Sequence, residues 1–401
     1  MKSETHQMST PMAKPIRLGG VLYAADTPER NALRDFAQEL QKRGWHVAGL
    51  VQELAYNTSG EKIGLDAIDI RTGEHLPLAR PSKEDRENGT CGFDLGRLSE
   101  TSRVLRDAMQ APADLLIVEK FGEREQDGRG LADEIVAAAM QGIPTLVAVP
   151  ASALETWNEF SGRLGTLLPH DMDSLWHWWP KWNLYKELTL GIPGQRPVQI
   201  VIGEKAILVE GPNGCGVTAN PSGQAHPNFT TEKTLKDLAR DNQNRADILA
   251  HALGIAVTLA HHNRYDLCGP DTSGLDHFKG KDDSVLVLGH FPKDRAYSNN
   301  SHTIAPDNAV QHLYDHAYDG VILPSHTFRE GALATLLRLK GTAQTVMVGP
   351  ETPLCPNLFD YGINVLSGRI ITDATKAADL VTAGASPKEL KPVSRYITLN
   401  Q

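Results

Sequence analysis

The chain has 401 residues, of which 40% are hydrophobic and 22% are charged, and its formal net charge is −9. This length predicts more than one domain, and the acidic balance argues against a general surface for nucleic acids or anionic membranes. The apolar runs are shorter than the roughly 18 residues of a membrane span. Residues 1–15 lack the apolar segment of a secretory signal, and we expect them to form a disordered tail.

The four cysteines, Cys91, Cys215, Cys268 and Cys355, are scattered along the chain. They form neither the closely spaced pairs typical of zinc sites nor a disulfide framework. Reduced, unpaired thiols are typical of proteins in a reducing compartment. We therefore expect a cytoplasmic protein.

The first part of the chain alternates between strand and helix patterns. An apolar run over residues 16–25 predicts a strand, and apolar spacing over residues 28–43 predicts an amphipathic helix. Residues 45–51 predict a second strand, so the chain opens with a β-α-β unit of the kind that builds parallel sheets. Residues 66–79 then predict a hairpin.

The loop after the first strand is the place where a phosphate-binding loop would lie. Residues 24–30 read AADTPER, without the glycines, lysine and hydroxyl of the pattern G-x-x-x-x-G-K-[ST]. The carboxylates of Asp26 and Glu29 would repel a triphosphate. We therefore expect no ordinary site for ATP and magnesium at this loop.

A charged loop with three glycines, residues 119–130, follows a buried strand at residues 114–119. Loops at the carboxyl ends of parallel strands often carry functional groups, which makes this loop a secondary candidate site. The alternative is a solvated loop with internal ion pairs. The candidate residues here are Glu119, Lys120, Glu123 and Arg129, together with Cys91 and Asp94 from the preceding segment.

Residues 16–168 resemble a family of bacterial domains of unknown function that is related to nucleoside-triphosphatases. The resemblance lies in residues 49–53, 68–79, 91–94, 114–130 and 143–150. It implies a P-loop-like fold whose phosphate loop has degenerated, with Glu119 near the position of the Walker B acid. Relatives of this domain are associated with molybdenum transport.

Four tryptophans, Trp176, Trp178, Trp179 and Trp182, lie in residues 169–197, which we interpret as a linker. Such a cluster typically packs a linker onto a neighbouring domain. The alternatives are that the indoles line a ligand site or contact a partner, which leaves an interaction scaffold as a possible function.

The next region is predicted to be a small α+β domain over residues 198–280. Residues 198–218 alternate in the manner of a hairpin, with an Asn-Gly turn signal at its end. Apolar spacing over residues 231–241 and 244–261 predicts two helices.

Residues 281–401 predict a Rossmann-like domain in which three strands end in polar loops. These loops are residues 289–293, 324–327 and 349–355. Because the carboxyl ends of parallel strands share one edge of a sheet, we expect the three loops to converge on a ligand.

The loop residues suit either an anion or a metal. Thr352 is predicted to cap a helix that has Pro353 in its first position, and the free N–H groups of such a helix suit an oxyanion such as molybdate. The candidate ligand-binding residues are Gly289, His290, Lys293, Ser325, His326, Thr327, Gly349, Glu351 and Thr352. Thiol and imidazole groups are the ligands that soft or borderline transition metals prefer. The candidate metal ligands are Cys355, His290, His326 and Cys215.

A structural interpretation of these residues is also open, because a cysteine often packs as a small apolar group and a histidine often only donates or accepts a hydrogen bond. Residues 183–385 nevertheless resemble a family of heavy-metal chelation proteins. That family joins an α+β domain, similar to the N-terminal domain of enolase, to a Rossmann-like domain. The matching segments are residues 201–218, 253–264, 285–292, 319–337 and 348–368.

Together these patterns predict an α/β protein with a P-loop-like parallel sheet domain, a small α+β domain and a Rossmann-like domain. Our hypothesis is a binding protein for a transition metal, molybdate or a metallocofactor in bacterial metal homeostasis or cofactor supply. The alternatives are an enzyme that acts on a small anionic metabolite or nucleotide at the Rossmann-like domain, and an interaction scaffold. A homo-oligomer or a protein partner stays open, whereas neither a nucleic acid nor a membrane is expected as a partner.

Overall fold

The computed structural model describes residues 17–82, 85, 98–179, 183–289, 291 and 297–401. The chain divides into two compact units, Met1–Trp179 and Pro180–Gln401. Within the described residues, no helix combines the length and the apolar character needed to cross a membrane.

The first unit is an α/β structure built on a sheet of seven described strands. Its strands are β1 (Leu18–Tyr23), β2 (Val47–Tyr56), β3 (Lys62–Asp69), β4 (His75–Ala79), β5 (Leu115–Val118), β6 (Thr145–Pro150) and β7 (Thr166–Pro169). Its helices are α1 (Ala32–Lys42), α2 (Leu98–Gln110), α3 (Glu123–Gln126), α4 (Ala132–Met140), α5 (Leu154–Phe160) and α6 (Met172–Trp178).

The strand order of this sheet is β4-β3-β2-β5-β6-β1-β7. The five strands from β2 to β7 in this order pair in parallel, while β3 and β4 add an antiparallel hairpin at one edge. The side chains of β5 are fully buried, which explains its uninterrupted apolar sequence. The carboxyl ends of β1, β2, β5 and β6 therefore lie along one edge of the sheet.

The tryptophan-rich stretch contains a helix and belongs to the core of the first unit. Trp176 and Trp179 meet the ring of Phe36 edge to face, with centroid distances of 5.0 and 6.1 Å. Trp179 also contacts Trp45, with a centroid distance of 5.2 Å. These contacts fasten α6 to α1 and to the start of β2, whereas Trp182 lies outside the described residues. The predicted domain boundaries at residues 168 and 197 stay predictions.

The second unit contains two described sheets. Its strands are β8 (Gln199–Ile202), β9 (Ala206–Glu210), β10 (Cys215–Ala219), β11 (Ser284–Leu288), β12 (Asn300–Ile304), β13 (Gly320–Pro324), β14 (Gln344–Val348), β15 (Val365–Ile371) and β16 (Ser394–Asn400). Its helices are α7 (Leu184–Glu187), α8 (Leu235–Ala239), α9 (Ile248–His262), α10 (Ala309–Asp315), α11 (His326–Arg329), α12 (Leu333–Leu339) and α13 (Ala374–Thr382).

The small sheet β10-β9-β8 is antiparallel and is covered by α9. A Cβ atom at Gly216 would lie 2.0 Å from the carbonyl oxygen of Ala256, so only glycine lets α9 approach β10 this closely. The larger sheet has the order β12-β11-β13-β14-β15-β16. The strands from β12 to β15 in this order are parallel and β16 is antiparallel. This architecture confirms the predicted fold class.

The prediction that a helix starts at Thr352 is wrong. A 3-10 turn, Pro356–Phe359, follows instead, with Cys355 as its N-terminal flanking residue. The side chain of Asn263 explains the difference, because its Nδ2 donates to the carbonyl of Thr352 at 3.0 Å and its Oδ1 accepts from the N–H of Leu354 at 2.9 Å. These backbone groups are therefore committed to the end of α9.

Other departures from the sequence patterns are local. Residues 326–339 form two helices, α11 and α12, which are separated at Gly331, whose φ is +66°. The helix predicted over residues 28–43 begins at Ala32 and ends at Lys42. The edge strands β12 and β16 were not predicted at all.

Candidate functional site

A cavity of about 1130 Å³ lies at the carboxyl ends of β13 and β14 in the second unit. We call it the strand-end cavity. Its described lining residues are Ala219, Asp271, Thr272, Ser273, Leu275, Phe291, Pro324, Ser325, His326, Arg329, Glu330, Val348, Gly349, Pro350, Glu351, Ser386, Pro387, Lys388, Lys391 and Tyr396. Each of the three predicted loops supplies at least one residue to this lining.

The loops after β13 and β14 contact each other directly. The N–H of Ser325 donates to the carbonyl of Val348 at 2.8 Å, and the N–H of Glu351 donates to Oγ of Ser325 at 3.2 Å. Gly349 has a φ of +141°, and a Cβ atom there would lie 2.2 Å from Oγ of Ser325. A glycine is therefore needed where the two loops meet.

Glu351 is the most highly connected side chain of the cavity wall. Only 5% of it is exposed, and its carboxylate accepts hydrogen bonds from Oγ1 of Thr218 at 2.6 Å and from the N–H of Ala219 at 2.8 Å. Nε of Arg329 donates to the same carboxylate at 3.3 Å. Because Thr218 and Ala219 end β10, this buried carboxylate ties the small sheet to the Rossmann-like sheet.

His326 brings a neutral imidazole to the cavity. Burial lowers the pKa of His326, and the charge of Arg329 lowers it further, while the carboxylates of Glu330 and Glu351 act in the opposite direction. The ring is therefore uncharged at neutral pH and keeps one nitrogen lone pair. That nitrogen can accept a hydrogen bond or bind a metal ion.

Cationic side chains enter the cavity from two elements. The guanidinium of Arg329 pairs with Glu351 and, at 3.4 Å, with Glu330. Lys388 and Lys391 lie on a 3-10 turn, Pro387–Val393, and neither ammonium forms an ion pair with the described residues. The lysines are exposed and so remain available to an anionic ligand.

A capping box fixes the turn that carries the two lysines. The carboxylate of Glu389 accepts hydrogen bonds from the N–H of Ser386 at 2.8 Å and from its Oγ at 2.7 Å. The pattern S-x-x-E in residues 386–389 is a sequence signal for this turn. This signal could have identified the turn with Lys388 and Lys391 as part of the cavity wall. The sequence pattern did not single out this turn, Arg329 or Tyr396.

Three of the predicted ligand-binding residues lie outside the lining. The backbone N–H of Gly289 donates to the carbonyl of Ile304 at 2.9 Å, so this N–H is part of the hydrogen bonding between β11 and β12. Oγ1 of Thr327 donates to the carbonyl of Pro324 at 2.7 Å, and Thr352 is fully buried. His290 and Lys293 lie outside the described residues. The ligand-binding set therefore stays a prediction, with Ser325, His326, Gly349 and Glu351 at the cavity.

The predicted metal ligands do not share one wall. His326 lines the strand-end cavity, Cys215 lines a separate cavity of about 10 Å³, and Cys355 is buried and lines neither. Burial raises the pKa of the Cys215 thiol, so it stays protonated at neutral pH. Within the described ranges, which omit His290, no group of three or more His, Cys, Asp and Glu residues could hold a metal ion. The proposed metal set stays a prediction.

The secondary candidate site in the first unit contains one partly buried carboxylate. Glu119 follows β5, and its Oε2 accepts a hydrogen bond from the N–H of Gln52 at 3.0 Å. Burial raises the pKa of Glu119, while that hydrogen bond and the charges of Arg34 and Lys120 lower it. Burial and the nearby carboxylate of Glu119 also raise the pKa of Tyr23 to about 12.

The remaining residues of this loop are exposed or serve its folding. Lys120, Glu123 and Arg129 are exposed, and Cys91 and Asp94 lie outside the described residues. The sequence analysis did not single out Glu125, which is buried in the loop. Its carboxylate accepts from the N–H of Gly122 at 2.8 Å and from the N–H of Leu131 at 3.0 Å, and thereby folds the loop onto itself.

Comparisons with known proteins identify two regions. Residues 18–178 match the family described as "Protein of unknown function (DUF2478)". Residues 269–400 match the family DUF364, described as "Putative heavy-metal chelation". The chain thus joins a DUF2478 region to a DUF364 region, which confirms both resemblances.

One curated relative is the Molybdenum import ATP-binding protein ModC 2 of Bradyrhizobium diazoefficiens. It is 34% identical over 165 residues, which make up 41% of this chain and 18% of that protein. The chain therefore spans less than a fifth of the length of this relative.

Two solved structures from the DUF364 family, both of unknown function, are similar to this chain. The protein from Desulfitobacterium hafniense is 21% identical with a TM-score of 0.45, and the match covers 55% of this chain and 98% of that one. The protein from Pyrococcus horikoshii is 19% identical with a TM-score of 0.45, and the match covers 55% of this chain and 99% of that one.

Proposed function

We propose that the second unit binds a metal as a small anionic complex, either a metallocofactor or an oxyanion such as molybdate, in the strand-end cavity. The observation that carries this proposal is a cavity of about 1130 Å³ whose lining includes Arg329, Lys388 and Lys391. This volume is that of a small-molecule site and far exceeds the space of a bare metal ion.

Residues 269–400, the region that matches the heavy-metal chelation family, supply almost the whole lining of the strand-end cavity. Every described lining residue except Ala219 falls within residues 269–400, which match the family described by heavy-metal chelation. The molybdenum-related name of one relative of the first unit makes molybdate a sensible first probe. Both observations support a role in metal homeostasis or cofactor supply.

The wall offers a different contact to each part of such a ligand. Lys388 and Lys391 attract its negative charge, and Arg329 is held in place by Glu351 to donate further hydrogen bonds. Phe291 and Leu275 supply apolar surface for an organic portion. The neutral imidazole of His326 is a ligand type that suits an open coordination position of a borderline metal.

A bulky substitution in the lining tests the proposal. Thr272 is exposed and lines the cavity, and its structural contact is made by its carbonyl, which accepts from Oγ1 of Thr398 at 2.6 Å. Thr272→Trp should therefore narrow the cavity without removing that hydrogen bond. Lys279→Trp, at an exposed position outside the described lining, is the matched control.

Untagged wild-type protein and both variants would be analysed for co-purified metals by mass spectrometry and titrated with molybdate and tungstate by calorimetry. We expect wild type and Lys279→Trp to bind equally and Thr272→Trp to lose at least about tenfold in affinity or metal content. Equal binding by all three proteins, or no binding by wild type, would contradict the proposal.

A further inference from the structure

Arg369, on β15, is a buried cation without an acidic partner among the described residues. Only 7% of the residue is exposed. Its Nη1 donates to the carbonyl of Pro387, its Nη2 donates to the hydroxyl of Tyr396 at 3.4 Å, and its guanidinium carbon lies 5.3 Å from the centre of the Tyr396 ring. Buried charges in proteins are normally paired with an opposite charge, so this arrangement is unusual.

The guanidinium lies directly behind the wall of the strand-end cavity. Pro387 and Tyr396, which contact it, are both lining residues of that cavity. A second cavity of about 10 Å³ adjoins Arg369 and has room for about one water molecule. Pro350 and Pro387 line both cavities. Nε of Arg369 is buried and has no hydrogen-bond partner in the described part of the chain.

The charges in the lining itself offset each other. The carboxylates of Asp271, Glu330 and Glu351 are matched in number by the cations Arg329, Lys388 and Lys391. Arg369 adds a further positive charge that no described carboxylate neutralises. Salt screens the exposed lysines strongly and the buried guanidinium much less, so its field persists at physiological ionic strength.

We infer that Arg369 determines the specificity of the strand-end cavity, because its uncompensated charge favours an anionic ligand over a neutral ligand of the same shape. This inference rests on the proposed function and deepens it by naming the charge of the ligand. Arg369 does not line the strand-end cavity, so it acts on a ligand there through its electric field.

Two fluorescent probes that differ by one charged group test this inference. Anilinonaphthalene sulfonate is anionic, and phenylnaphthylamine has the same ring system without the sulfonate. Both would be titrated into wild type, Arg369→Gln and Arg369→Lys. We expect wild type to prefer the anionic probe, Arg369→Gln to bind that probe about tenfold more weakly with unchanged affinity for the neutral one, and Arg369→Lys to keep most of the preference.

Several outcomes would overturn the inference. If wild type shows no preference for the anionic probe, the inference is wrong. This result needs no variant, so it holds even if Arg369→Gln fails to fold. A folded Arg369→Gln protein that keeps the wild-type preference would also contradict it. So would Arg369→Lys behaving like Arg369→Gln, because the effect would then come from shape and not from charge.

Thr272→Trp separates this inference from the proposed function. If that variant binds both probes more weakly than wild type, the cavity is the binding site and the Arg369 comparison tests the charge alone. If it binds both probes as wild type does, the probes do not enter the cavity and the inference fails, while the proposed function is judged by the molybdate titration alone.

Discussion

Glu351 and Glu119 each follow a buried parallel strand at its carboxyl end, one in each unit, yet their surroundings give them different chemistry. Three groups donate to the carboxylate of Glu351, namely the hydroxyl of Thr218, the N–H of Ala219 and the guanidinium of Arg329. The carboxylate of Glu119 accepts one backbone hydrogen bond, from Gln52. Position in the sheet therefore brings a carboxylate to the edge, and the number of donors decides how firmly that carboxylate is held.

The largest effect is expected from removing the anchor. Glu351→Ala leaves the buried hydroxyl of Thr218 and the partly buried N–H of Ala219 without their acceptor, and it leaves the partly exposed guanidinium of Arg329 paired with Glu330 alone. Each buried donor that loses its acceptor costs about 1–3 kcal/mol, so we expect a loss of about 2–4 kcal/mol in the free energy of unfolding. Urea denaturation of the full chain would measure it.

The control for this substitution is Glu330→Ala. Glu330 is exposed and pairs with Arg329 at 3.4 Å, so its removal should cost less than about 1 kcal/mol. If both variants lost the same stability, Glu351 would not be the anchor described here.

A smaller effect, which depends on pH, is expected from Glu119→Gln. Burial raises the pKa of Glu119 in the folded protein, so the folded state binds this proton more tightly than the unfolded state does. Stability must then fall as pH rises from the unfolded pKa through the folded pKa. The substitution removes this fall, so the variant should match wild type near about pH 4 and exceed it in stability near about pH 8.

Unfolding curves of wild type and Glu119→Gln across this pH range would check the expectation. Glu123→Gln, at an exposed position in the same loop, serves as the control and should follow wild type throughout. A stability difference between wild type and Glu119→Gln that does not change with pH would mean that Glu119 is not a titrating group in this range.

The smallest effect is expected from the ion pair beside Glu119. Nη1 and Nη2 of Arg34 donate to the carboxylate of Glu53 at 3.2 and 2.7 Å, but 43% of the Glu53 side chain is exposed. A double-mutant cycle with Arg34→Met and Glu53→Gln should give a coupling of about 0.2–1 kcal/mol. If this coupling energy were as large as the stability lost in Glu351→Ala, the contrast between the Glu351 and Glu119 sites would not hold.

Much of the fold could be predicted because its central strands are buried on both faces and read as apolar runs. The strand β14, with its sequence QTVMV, and the strand β5, with LLIV, are examples. The edge strand β12, with NSHTI, is exposed, so its sequence carries no apolar signal. Tertiary contacts also overrode local patterns, since Asn263 commits the backbone that the Thr352-Pro353 cap signal assigned to a helix.

The site was predictable in its position and less so in its chemistry. The carboxyl ends of parallel strands lie at one edge of a sheet, and this rule correctly predicted that the loops of Ser325 and Glu351 lie together. It could not show that Arg329, from α11, and Lys388, from the 3-10 turn before β16, would line the same cavity. Residues that come together only through tertiary structure show no regular spacing in the sequence from which their contact could be predicted.

The most direct test of the central proposal is anomalous diffraction at the molybdenum edge from crystals of the full chain grown with molybdate. We expect an anomalous peak inside the strand-end cavity, within hydrogen-bonding reach of Arg329, Lys388 or Lys391. Peaks only outside this cavity, or no peak at a concentration that saturates binding in calorimetry, would contradict the proposed site.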